Sequence, residues 1–156
     1  METPLLFKAI RENQLHKVRD LLTENPTWIS ATDERGSSPL LLATYSGLTD
    51  MTDVLLEFKP DVNARDLSGN TALMGVAFKG FTTIAQRLLE AGADANLVNG
   101  NGATALIYAA TFGKEEMVKV LLDHGADKGI TDSAGHTAAD HARMHGWDSV
   151  MRLVEA

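Results

Sequence analysis

Displaced by 33 positions, the sequence falls on itself. Asp33, Asp66 and Asp132 share one column, with Asn99 in the fourth place. Three residues on stand Gly36, Gly69, Gly102 and Gly135, and then Ser38, Thr71, Thr104 and Thr137. A later glycine column holds Gly47, Gly80, Gly113 and Gly146. The pairs Leu55-Leu56, Leu88-Leu89 and Leu121-Leu122 keep the same step, as do Asp61, Asp94 and Asp127. A fixed period of this length restricts the fold severely. Each copy is one supersecondary unit that cannot bury its apolar face alone, so the copies must stack in a row. An opening copy fits with an offset of 34, matching Ala9, Asn13 and Leu21-Leu22; the loop "ENPTWIS" carries the extra residue. The copies then run about 1–32, 33–65, 66–98, 99–131 and 132–156, as a single domain.

Each copy reads alike. A turn carries Asp and Gly, and the Ser/Thr that follows is placed to cap a helix by accepting a backbone N–H bond. A short helix of small and apolar residues follows, such as "TALMGVAF" or "TALIYAAT", and a glycine breaks it. A second helix carries Ile84, Leu88 and Leu89 at helical spacing in one copy. Gly92 and Gly125 suit a left-handed C-terminal cap. The columns Leu40, Leu73 and Leu106, with the Leu-Leu pairs, supply a core. Two places break the pattern. Lys59-Pro60 stands where Gly92-Ala93 stands a copy later, so that second helix should end early or differently, because residues before proline avoid the α region. Gly75 sits inside a helix, at a cost of about 1 kcal/mol against Ala. It marks its copy as locally weaker, unless a neighbouring backbone needs the room.

These columns resemble the ankyrin repeat, with its 33-residue period and T-P-L-H-x-A signature. "SPLLLATYSG", "TALMGVAFKG", "TALIYAATFG" and "TAADHARMHG" match its first-helix segments, and "KPDVNA" and "AGADAN" its inter-repeat turns. The resemblance covers essentially the whole chain. It implies a mainly α ankyrin-repeat solenoid: five stacked helix-turn-helix repeats joined by β-hairpin-like loops, residues 1–156. Where the family often has His at the fourth place, this chain has Leu41, Met74, Ile107 and Asp140, giving a more apolar seam. Glu155 falls in the column of Leu56, Leu89 and Leu122, and the first copy is polar, "RENQLHKVRD". The end copies therefore read as caps of a short, complete array.

One stretch competes for attention. "NLVNGNGATALIYAA" contains Gly100, Gly102 and Ala105, which spell the G-x-G-x-x-A of a dinucleotide-binding turn, with Asp123 and Asp127 at about the right distance beyond. The fingerprint must follow a buried parallel strand, and "LLEAGADANLV" ends a helix instead. Gly102 belongs to a repeat column and Gly100 does not, so the motif is an ordinary repeat glycine beside an extra one. No cofactor is expected. His141 and His145, four apart on one helix with His136 and Asp140 near, could hold zinc, but they occupy ordinary repeat positions. There is no cysteine and no G-x-S-x-G turn, and Glu115-Glu116 open a helix where its dipole favours them. The chain is read as no enzyme. Its net charge of −7, without a basic cluster, disfavours nucleic acid and anionic membranes as partners. The opening "METPLLFKAIRENQ" is no secretory signal and no apolar window approaches a membrane span, so the location expected by default is cytoplasmic.

The family resemblance implies that partners meet the hairpin tips and the exposed side of the first helices. At the tips stand Arg35, Arg65, Leu67, Asn70 and Asn101. At the far end of the first helices, Tyr45 and Phe78 share a column, Lys79 follows, and Phe112 is one place off. That is an aromatic row in a chain poor in aromatics, at 6%. Aromatics and Arg dominate energetic centres of interfaces. The expectation is a monomeric, non-enzymatic protein–protein interaction module whose rings lie outside the core. The alternatives are a metal-binding or enzymatic protein centred on His141 and His145, and a self-associating structural subunit.

Overall fold

The computed structural model describes residues 3–155; Met1, Glu2 and Ala156, at the ends of the expected array, lie outside the described residues. Ten α-helices follow one another there as five pairs, with no strand among the described residues. They are α1 (Thr3–Arg11) with α2 (Leu15–Glu24), α3 (Pro39–Tyr45) with α4 (Thr49–Leu56), and α5 (Ala72–Lys79) with α6 (Thr82–Glu90). Then come α7 (Ala105–Thr111) with α8 (Glu115–Asp123), and α9 (Ala138–His145) with α10 (Asp148–Glu155). A 3₁₀ turn, Pro26–Ser30, occupies the longer loop after α2.

The caps fall where the column of hydroxyls puts them. The side chains of Ser38, Thr71, Thr104 and Thr137 accept from the backbone N–H of Leu41, Met74, Ile107 and Asp140. Each satisfies a donor that the first turn of a helix leaves open, and its removal costs about 1 kcal/mol. Gly80 and Gly146 end their helices in the left-handed region. Asn13, which replaces that column's glycine in the first copy, takes φ 56°. Asn is among the few residues that adopt this conformation readily.

The helices stack in two layers. The odd-numbered helices touch in sequence, α1 to α3 to α5 to α7 to α9, and the even-numbered ones do the same. Between the layers runs one continuous core. Leu40, Leu73 and Leu106 face it from the first helices, and Leu55, Leu88 and Leu121 from the second, all essentially fully buried. Each such leucine contributes about 1.5–3 kcal/mol by leaving water. The second leucine of each pair is less enclosed: Leu89 is nearly buried, while Leu56 and Leu122 are half-buried. The column Ala43, Val76, Ala109 and Ala142 is also fully buried, and its small side chains let neighbouring first helices approach. Glu155 turns outward and pairs with Arg143 at 2.9 Å.

The two irregular places have physical accounts. The helix α4 stops at Leu56, one position short of its equivalents α6 and α8. Lys59 nevertheless keeps the left-handed conformation of the column it shares with Gly92 and Gly125, with φ 55°, 101° and 86° respectively. The room at Gly75 is taken by a side chain rather than a backbone. A Cβ there would meet Tyr45 Cδ1 at 3.0 Å.

Candidate binding surface

The tips between copies are built by the Asp/Asn column. One oxygen of Asp33 accepts from the N–H of Arg35 and Ser37, and Asp66 accepts from Ser68 and Asn70. Asn99 accepts from Asn101 and Ala103, and Asp132 from Ala134 and His136. The loops are thus side-chain-clamped turns. Successive tips join by single backbone bonds: Leu67 N–H to Arg35 O at 3.2 Å, Gly100 N–H to Ser68 O at 3.2 Å, and Ser133 N–H to Asn101 O at 2.9 Å. Gly100 and Gly102 lie within this frame, with no strand before them, and α7 begins only at Ala105.

The aromatic row stands outside the core. Tyr45 is 50% exposed, Phe78 38% and Phe112 44%, which settles that none of the three is enclosed between helices. The rings are not independent. Phe78 and Phe112 meet edge to face with centroids 4.8 Å apart, an arrangement worth about 0.5–1.5 kcal/mol beyond the area it covers. The offset of one place in the sequence is what brings these two rings into contact. Lys79 Nζ lies 4.7 Å from the Tyr45 ring centroid, a cation–π pair between adjacent copies. The exposed side chains thus make two contacting pairs, Tyr45 with Lys79 and Phe78 with Phe112, each across adjacent copies.

The tip residues divide. Arg35 is exposed and makes no ion pair within 4 Å among the described residues. Leu67 is 82% exposed, the most open of the large apolar side chains among the described residues, although its stem lies against Gly36. Asn101 is exposed as well. Arg65 instead donates to Val98 O in the next copy at 3.1 Å. Asn70 accepts from Asn99 Nδ2 at 2.7 Å, and the same Nδ2 donates to the Tyr108 hydroxyl at 2.8 Å. Between the tips and the first helices α3 and α5 lies a groove of about 300 Å3, with Asp33, Arg35, Tyr45, Asp66, Asn70 and Gly75 in its wall.

Two features of this surface escape a reading by columns. Asn63 Oδ1 accepts from the Asp94 N–H at 2.8 Å, and Asn96 Oδ1 from the Asp127 N–H at 2.7 Å, which staples each inter-copy turn to the next. The step of 33 between Asn63 and Asn96 is visible in the sequence, but two members make a weak column. His141 is the second. Its Nε2 sits 2.7 Å from Asp132 Oδ2, and its ring packs edge to face on His136 at 5.5 Å. The His136 N–H, then the His141 ring, hold the Asp132 carboxyl below its ordinary range. His145 is exposed. Among the described residues, no three His, Cys, Asp or Glu side chains come together as metal ligands would.

An uninterrupted stack of helix pairs, clamped tip to tip and carrying its exposed rings along one edge, defines a helical-repeat solenoid. The family model for ankyrin repeats (3 copies) matches residues 5–99 and again 73–155. The chain belongs to the ankyrin-repeat family. A search of curated proteins gives no match. Ankyrin repeats are generally protein–protein interaction modules and typically non-enzymatic. No helix among the described residues is long and apolar enough to cross a membrane.

Proposed function

We propose that residues 1–156 act as one five-copy, non-enzymatic, cytoplasmic monomer that binds a partner protein along the edge formed by Tyr45, Phe78, Lys79 and Phe112. Arg35, Leu67 and Asn101 extend that contact at the tips, with Arg65 and Asn70 at its margin. The observation that carries the reading is the exposure of three rings at the ends of three successive first helices, in a chain with few aromatics and a complete leucine core elsewhere. Apolar area kept in a contiguous row at the surface marks an interaction site. A repeat array suits the task because stacking fixes the spacing of the row, so little ordering cost falls on binding.

The test is selection of binders from a displayed-peptide library on the wild-type chain, followed by affinity measurement on Tyr45→Ala/Phe78→Ala/Phe112→Ala. Binders should lose about 2 kcal/mol, roughly thirtyfold in Kd. Binders that hold the triple variant as tightly as the wild type would move the interface off this row.

A further inference from the structure

The turn column supplies an internal comparison. In each copy one atom of the Asp or Asn side chain clamps the turn, and the other is left for a second partner. For Asn99 that atom is Nδ2, which donates to Asn70 Oδ1 and to the Tyr108 hydroxyl, nine residues on; for Asp132 it is Oδ2, which meets His141 Nε2, again nine residues on. The equivalent places after Asp33 and Asp66 hold Leu42 and Gly75, whose side chains cannot donate. Among the described residues nothing donates to Asp33 Oδ2 or Asp66 Oδ2. Asp33 and Asp66 line the same groove, together with Tyr45. With Arg35 at the rim, the groove carries two acids to one base, in a chain of net charge −7.

We propose that this groove receives an arginine side chain from an extended segment of the partner, its guanidinium donating to Asp33 Oδ2 and Asp66 Oδ2 beside the Tyr45 ring. The kind of donor that His141 brings to Asp132 is thereby supplied to Asp33 and Asp66 from outside. A guanidinium presents five N–H groups in one plane and packs on aromatic rings, so it can serve two separate carboxylates at once; an ammonium concentrates its donors at a point. Leu42 lines the groove without bringing a competing donor, and Gly75 leaves the room that the Tyr45 ring takes beside it. The proposal rests on the tip face being the contact surface, and it adds the chemistry that one pocket of that face selects.

The test is a titration of the 15N-labelled full chain, followed by two-dimensional NMR, with N-acetyl-arginine amide, its neutral isostere N-acetyl-citrulline amide, and N-acetyl-lysine amide. The same titrations are run on Asp33→Asn/Asp66→Asn. This variant keeps its turns, because Asn99 clamps its own turn through the same two N–H bonds. Its melting temperature and remaining spectrum verify that. The expected result is saturable shifts centred on the Asn70 and Gly75 amides, with Kd on the order of millimolar for arginine amide. Citrulline and lysine amides should bind about tenfold more weakly, and the double variant should lose arginine binding. Equal binding of either control amide, shifts mapping elsewhere, or unchanged affinity in the double variant overturns the proposal. Phe78 and Phe112 lie outside this groove. Library binders that depend on them, together with a wild type that ignores arginine amide, would sink this inference and leave the aromatic row standing.

Discussion

Lys59→Gly should make the chain more stable. Lys59 is held at φ 55°, in the left-handed region that its equivalents Gly92 and Gly125 enter without hindrance. A side chain with a Cβ pays about 1–2 kcal/mol there. Glycine removes that strain but returns about 0.5–1 kcal/mol through greater freedom in the unfolded chain. Pro60 already restricts residue 59 in the unfolded state, which keeps the second figure near its lower end. Lys59 is exposed and forms no ion pair within 4 Å among the described residues, so little else is lost. The net expectation is a gain of about 0.5–1.5 kcal/mol, or roughly 1–6 °C in Tm for a chain of this size. Urea unfolding measures it, with an unchanged slope showing that the denatured state is comparable. The reciprocal Gly92→Lys isolates the backbone term. Nothing lies within 4 Å of a Cβ built on Gly92, so no contact adds to the strain of about 1–2 kcal/mol. The unfolded-chain freedom that glycine gives up offsets about 0.5–1 kcal/mol of it, so the loss expected there is about 0.5–1 kcal/mol. No gain from the first change, or no loss from the second, refutes the argument.

Gly75→Ala should change stability by less than about 0.5 kcal/mol: the helix gains about 1 kcal/mol, but the Tyr45 ring, 3.0 Å from the new Cβ, must give way. The full gain in a denaturation curve would show that the half-exposed ring moves at no cost. A double-mutant cycle on Phe78→Ala and Phe112→Ala should return a coupling of about 0.5–1.5 kcal/mol; zero coupling means the edge-to-face contact is not formed in solution. Asp132 has its carboxyl pKa lowered on folding, so its contribution is present above the unfolded value near 3.9 and fades as pH falls toward the lower folded value. Asp132→Asn should therefore flatten the acid limb of a stability–pH curve, and an unchanged limb would assign acid sensitivity elsewhere. Millimolar NAD or ATP should leave Tm where it is, since a ligand bound to the native state must raise it; a clear rise would reinstate the Gly100-x-Gly102 motif.

The fold was legible because its period is written in residues with strict backbone duties. Ser38, Thr71, Thr104 and Thr137 cap, Gly80 and Gly146 turn left-handed, and Leu40, Leu73 and Leu106 fill the core. The surface row was legible in part. The column of Tyr45 and Phe78 places rings on one side, yet the contact of Phe78 with Phe112 depends on a one-residue stagger whose outcome needs three dimensions. Arg65 and Asn70 stand at the tips as their columns place them, and the bonds they make to Val98 and Asn99 are not written there. Such bonds depend on where the next copy's groups lie, and columns record which residues align, not where their polar atoms point. Gly75 weakens its helix unless a neighbour needs the room, and which neighbour takes it, the Tyr45 ring and not a backbone, is visible only in three dimensions.

The pairwise stacking has a consequence for assembly. Side-chain bonds between neighbouring pairs join residues 29 to 38 apart, such as Asn70 with Asn99 and Arg19 with Glu57. Closing a flexible loop costs entropy that grows only with the logarithm of its length, and here every closure has nearly the same length. The last pair to dock meets no greater entropic barrier than the first. Assembly can therefore begin at whichever two adjacent pairs attract most strongly and spread in both directions, without waiting for distant parts of the chain to find each other.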